Sequence, residues 1–128
     1  MKLEIRDLDI KSDSRGIATE ILTSDQMPEM KEVLLQISKP GTIRGNHYHK
    51  KKVEWICVIK GEAKIIYEDV YDGEKKTIFV SGDKPQIIKT PLDVLHTVYN
   101  IGDEDLYTIS ILDSIYAKMP DTYKKENP

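Results

Sequence analysis

Gly41–Gly61 reads GTIRGNHYHKKKVEWICVIKG, and the rest of the chain is organised around it. His47 and His49 are separated by one residue, a spacing that puts both imidazoles on the same face of an extended strand. Glu54 follows a lysine-rich turn and heads the apolar run Trp55–Ile59. That pattern predicts the returning strand of a hairpin. Two imidazoles and a carboxylate therefore converge, and the third and last histidine, His96, stands in a second apolar stretch, KTPLDVLHTVYN, where another strand could bring it to the same place. Three nitrogens and one carboxylate oxygen suit zinc, iron, manganese, nickel or copper, with positions left open for water or substrate.

A chain of 128 residues predicts one domain, 1–128, with room for a single core. The net charge of -3 and a pI near 5.6 give no electrostatic footprint for nucleic acid. A single cysteine, Cys57, excludes an internal disulfide, and the N-terminus has no apolar run of the kind that makes a signal peptide or a membrane span. The expectation is a cytoplasmic protein without a membrane or polynucleotide partner.

Taken in order, KLEIRDLDI predicts a strand with an irregularity near Asp7, and SDSRG a turn. IATEIL continues as a strand, TSDQMPEMK is loop, and EVLLQIS is rich enough in branched residues to be the next strand. After the central stretch, AKIIYEDVYDGEKKTIFV reads as a hairpin turning at Asp72-Gly73. SGDKPQ turns the chain again, His96 lies near the start of a strand, and LYTISIL is the last strong strand before a polar tail. Apolar residues nowhere recur at helical spacing over three turns. The fold class expected is all-β, a small antiparallel barrel or sandwich.

Arg44 sits three residues before His47 beside a flexible glycine, where a guanidinium can grip a phosphate bidentately or serve in a structural salt bridge. Lys50, Lys51 and Lys52 read as a solvated turn, with contact to an anionic ligand as the alternative. Trp55 and Cys57 fall on the strand face opposite Glu54 and read as packing residues, and Tyr48 points away from the histidines beside it. Any of Tyr67, Tyr99, Tyr107, Tyr116 and Tyr123 could be a catalytic phenol. Aromatic strand residues are nonetheless core by default.

The spacing from Gly41 through His47, His49 and Glu54 to Gly61 resembles the first motif of the cupins, small antiparallel β-barrels of jelly-roll type that commonly hold a metal in the barrel mouth. Pro91, Asp93, His96 and Asn100 resemble the second cupin motif, with Asp93 where the family has glycine and Gly82 further upstream than the pattern expects. The core motifs are thus 41–61 and 91–100. Within the cupins, SRGIATEIL, KPGTIRGNHYHKKKVEWICVIKGEAKI, HTVYNIGDEDL and MPDTY resemble the epimerase domain of the capsular-polysaccharide bifunctional enzymes. In those, a reductase is joined to a metal-binding cupin that epimerises C3 of a keto-deoxy-sugar nucleotide.

That resemblance implies a divalent metal on His47, His49, Glu54 and His96, zinc first among the candidates with iron, manganese or nickel behind it. It also implies a sugar-nucleotide substrate gripped by Arg44, with either reduction supplied by a separate protein or a different substrate for this one. The rhamnose-pathway epimerases also resemble this chain at R-G-x-H, but they are metal-free and carry Gln and Lys where His49 and Glu54 stand. His47 is then a ligand and not a base, and the base is left open among a metal-bound hydroxide, a tyrosine and a lysine. A metal-dependent oxygenase and a non-catalytic small-molecule binder are the rival functions. A homodimer is expected as well, with the KLEIRDLDI strand donated to a neighbouring sheet.

Overall fold

The computed structural model describes residues 1–125; the end of the polar tail, 126–128, lies outside the described residues. In chain order the strands are β1 (Glu4–Asp7), β2 (Ile10–Asp13), β3 (Gly16–Thr19), β4 (Glu32–Ser38), β5 (Ile43–Tyr48) and β6 (Glu54–Lys60). They continue as β7 (Glu62–Asp69), β8 (Lys75–Ser81), β9 (Gln86–Thr90), β10 (Val94–Asn100), β11 (Leu106–Leu112) and β12 (Tyr123–Lys124). Two five-stranded antiparallel sheets result, ordered β1-β9-β6-β11-β4 and β12-β5-β10-β7-β8, with β2 and β3 as a separate ribbon. This is the all-β jelly roll of the cupins, built as a two-sheet sandwich.

β6 lies at the centre of the first sheet, and its continuous apolar reading has a simple cause: both of its faces are covered. Ile56 and Val58 point between the sheets, where they join Ile65 and Tyr67 of β7, Val80 of β8, Ile88 of β9 and Leu106 of β11. Trp55 and Cys57 point outward and meet Met27, Ile87 and Ile111, with Leu8, Ile21, Leu22 and Met30 packed over them. The loop carrying Pro28 is thus a lid on the outer face. Burial also raises the Cys57 thiol to about 11, so it behaves as a small hydrophobe and not as a nucleophile.

Three expectations are corrected. The strands flanking the ligand turn do not form a hairpin: β5 belongs to one sheet and β6 to the other. The turn is therefore a crossing between layers. A loop this short resembles a hairpin connection in sequence, but each strand finds its hydrogen-bond partners elsewhere, β5 on β10 and β6 on β9 and β11. The N-terminal strand, in turn, is used at home. Glu4–Asp7 pairs antiparallel with Gln86–Lys89 of β9, and its register breaks after Asp7 where the sequence loses alternation. At the Asp72-Gly73 turn only Gly73 takes positive φ, +77°, and the connection is longer than the two-residue turn expected.

Candidate metal centre

The four ligand-type residues meet at one end of the sandwich. His47 and His96 lie opposite each other in the β5–β10 ladder, and the register shifts immediately after His96. Gly45 makes that closeness attainable. A Cβ there would lie 2.7 Å from the His96 carbonyl oxygen, and its φ is +92°, so glycine is the residue that lets β5 approach the ligand strand. Glu54 enters from the other sheet at the first residue of β6, and His49 from the turn between. Asp93, at φ +58°, takes the left-handed turn that leads into β10, so aspartate serves where cupins have glycine.

One donor atom from each of His47, His49, Glu54 and His96 falls within 4.8 Å of all the others. His49 Nε2 is 2.9 Å and His96 Nε2 3.5 Å from Glu54 Oε1. A tetrahedral ion with bonds of about 2.0–2.1 Å sets its donors roughly 3.3 Å apart, so those two separations bracket the requirement. The residues fit a divalent ion.

Electrostatics point the same way. Burial, then the charge of His96, lowers His47 to about 4, with Glu54 opposing. Burial also lowers His96, again against Glu54. Both are neutral imidazoles at pH 7, with lone pairs available to a cation. For Glu54 burial favours the neutral acid, but the hydrogen bond from His49 and the charges of His96 and His49 outweigh it and hold the carboxyl down to about 2. The centre therefore keeps a buried carboxylate facing three imidazoles.

Around these ligands is a cleft of about 380 Å³, lined also by Arg44, Lys52, Tyr116 and Thr122. Among the described residues Arg44 takes no part in the salt bridge that the sequence left open: its Nε donates to Ser38 Oγ at 2.7 Å and its Nη2 to the Ile37 carbonyl at 3.4 Å. Both partners are neutral, so the guanidinium keeps its charge for the cleft.

The lysine turn is not uniform. Lys50 and Lys51 are solvated as expected, but Lys52 is 2% exposed. Its ammonium donates to the Pro120 carbonyl at 3.0 Å, lies 4.8 Å from the centre of the Tyr116 ring, and forms no ion pair with a carboxylate among the described residues. Three consecutive lysines carry no sequence signal for which one turns inward. Of the five candidate phenols, Tyr67 is fully buried in the core, where burial raises it well above a phenol's ordinary range, and Tyr116 is the one that lines the cleft. Tyr48 faces away as expected, its ring 5.6 Å from that of Tyr123.

The comparisons with known proteins converge on one group. Residues 11–123 match the model of the polysaccharide biosynthesis C-terminal domain. The chain belongs to that family. The UDP-2-acetamido-2,6-beta-L-arabino-hexul-4-ose reductase of Pseudomonas aeruginosa is 30% identical over 118 residues, 91% of this chain and 31% of that protein. The probable low-salt glycan biosynthesis epimerase Agl13 of Haloferax volcanii is 30% identical over 125 residues, 89% of this chain and 79% of the relative. Among solved structures, the capsular polysaccharide assembling protein CapF of Staphylococcus aureus aligns with TM-score 0.73 and 36% identity, over 94% of this chain and 34% of that one. The chain thus spans about a third of the length of the reductase and of CapF.

Proposed function

We propose that the protein is a metal-dependent epimerase or isomerase acting on a nucleotide-linked keto-deoxy sugar in surface polysaccharide biosynthesis. The observation that carries this reading is the composition of the cleft: three imidazoles and a carboxylate at its base, with two cations, Arg44 and Lys52, that have no carboxylate partner among the described residues. The relative named as a glycan biosynthesis epimerase, of which the chain covers most, supports the same class.

The chemistry required is loss of a proton beside a ketone, and it needs stabilisation of the negative charge that appears on oxygen. A divalent ion on His47, His49, Glu54 and His96, zinc first among the candidates, supplies Lewis-acid polarisation of that carbonyl. Lys52 is placed to share the load. A buried ammonium with one carbonyl partner is costly until an anion comes beside it, and an enolate oxygen is such an anion. Arg44, held through Ser38, holds the diphosphate. Tyr116 is the phenol available for proton transfer, and return of the proton to the opposite face inverts the carbon.

The test is incubation of zinc-loaded protein with several keto-deoxy-sugar nucleotides in heavy water, followed by mass spectrometry and proton NMR at the carbon beside the ketone. Label uptake that is lost in Glu54→Gln supports the reading. With metal bound and the fold intact, no label in any of them turns it over to the rival oxygenase or binder.

The homodimer rests on a different strand from the one first expected. β4 is one of the two edge strands of the first sheet, β1 being the other, and Val33 (63% exposed), Leu35 (55%) and Ile37 (44%) lie along one face of it. An uncovered apolar edge strand pairs or aggregates, and a second copy of this chain is the partner we propose. Sedimentation of Leu35→Lys should show monomers; an unchanged dimer would exclude β4 from the interface.

A further inference from the structure

Met119–Tyr123, M-P-D-T-Y, belongs to no core cluster, yet it crosses the mouth of the cleft and is tied to the ligand turn at almost every step. The Asp121 carboxylate accepts hydrogen bonds from the backbone N–H groups of Lys50, Lys51 and Lys52 at 3.3, 2.7 and 2.8 Å. Its own peptide oxygen lies 2.8 Å from His49 Nδ1. Pro120 holds the Lys52 ammonium. Directly after, Tyr123 pairs with Tyr48 and Lys124 with His47, so the segment is fixed at both ends of the histidine pair. Asp121 adopts φ +32°, a conformation uncommon for a residue other than glycine.

One residue therefore addresses a ligand in two ways. A peptide oxygen can only accept, so the proton of this contact sits on His49 Nδ1. That leaves Nε2, which donates to Glu54 Oε1 at 2.9 Å in the ion-free site, as the nitrogen that exchanges its proton for a cation. The carboxylate meanwhile gathers three successive backbone N–H groups, which fixes the path of the chain between His49 and Glu54. Both ligands are aimed by a residue some seventy positions later in sequence.

We propose that Asp121 is a positioning residue of the metal centre, so that metal affinity depends on the docking of the Met119–Tyr123 strap. The inference rests on the metal-binding reading given above. Partners behind a metal ligand typically contribute 10–100-fold in affinity, and the expectation falls in that range.

The experiment measures zinc and cobalt(II) affinity of the full chain by competition with a chromophoric chelator, for wild type, Asp121→Ala, Asp121→Asn and Asp121→Gly. It adds the nitrogen-15 NMR signature of the His49 ring and the melting temperature of each metal-free form. Asp121→Ala removes the carboxylate that docks the strap and keeps the peptide oxygen, so it should bind at least tenfold more weakly, with the Nδ1-protonated signature of His49 lost only as the undocked strap withdraws that oxygen. Asn keeps one acceptor for the turn, and its loss should be smaller. Gly, like Ala, keeps the peptide oxygen and loses the carboxylate, but it accepts the positive φ; it reports on the turn if Ala does not fold.

Folded Ala and Gly variants with wild-type affinity would overturn the positioning role and leave the metal reading intact. A lower melting temperature with unchanged affinity and ring signature would do the same, since it marks a merely structural aspartate. Wild-type protein that binds neither ion would overturn the metal reading itself, and this inference with it.

Discussion

Two turns in this molecule are closed by the same physics at different sequence distances. Between β7 and β8, the Asp69 side chain accepts from the backbone N–H groups of Tyr71 and Asp72, two and three residues ahead. Between β5 and β6, the Asp121 side chain does this for Lys50, Lys51 and Lys52 from the far end of the chain. Backbone bonds lower the carboxyl of Asp69. At Asp121 burial opposes ionisation, and the bonds from Lys52, Lys51 and Lys50 outweigh it. The local turn carries its own instructions and can form before the rest of the fold. The ligand turn has its final shape only when strap and both sheets are assembled, which suits a site that should exist in the native state alone.

The sharpest way to break that contrast is at the ligands. His96→Ala leaves the turn and its aspartate in place but removes a donor, so zinc affinity should fall by more than the roughly 100-fold upper end for outer partners. Isothermal titration or chelator competition reads it. An affinity close to wild type would mean that the ligand set is not the one described.

Glycines at the two places come next. Gly45 and Gly73 both have positive φ, at +92° and +77°, but a Cβ at Gly45 meets the His96 carbonyl whereas one at Gly73 meets nothing within 4 Å. Gly45→Ala should cost about 2–4 kcal/mol, strain plus displacement of a ligand strand. Gly73→Ala should cost only the strain, about 1–2 kcal/mol. Urea denaturation of both variants checks the difference, and equal costs would remove the special role given to Gly45.

Acid separates the regions too. In the folded, metal-free protein His47 is lowered from 6.5 to about 4 and Glu54 from 4.5 to about 2, so the unfolded chain takes up protons that the folded one refuses. Stability is then fully present above about pH 6.5 and is lost as pH falls, first through the His47 window and then through that of Glu54. Between pH 7 and 5 the expected loss is about 1–2 kcal/mol after allowance for solvent screening, read by denaturation in chelator. A flat profile would contradict the burial of the imidazoles. The smallest effect is Asp69→Ala, a slight loss of stability from the two turn hydrogen bonds with no change in zinc affinity; a change would show that the two turns are coupled.

What could be read in the sequence follows the same division between local and distant causes. EVLLQIS and LYTISIL coincide with β4 and β11 because alternation and branching act residue by residue. His47, His49, Glu54 and His96 were legible as a set because strand geometry fixes the first pair and the motif spacing supplies the others. The layer to which each strand belongs was not. The loop between Tyr48 and Glu54 has the length of a hairpin connection, and only the competing ladders of β9, β10 and β11 send its ends to opposite sheets. Lys52 was hidden among identical neighbours, because what distinguishes it is Pro120 and the Tyr116 ring. The N-terminal strand looked free because its partner, β9, lies about eighty residues away.

That β5 and β10 lie in one sheet and β6 in the other gives a bound ion a mechanical part. It would act as a rivet through the sandwich, joining layers that are otherwise held at this end by packing and the strap. An ion that binds only the closed form adds stability by mass action, about 2.7 kcal/mol at a free concentration one hundred times its dissociation constant. The exchange of amide protons near His47 and Glu54 would slow together on loading, because one opening motion exposes both.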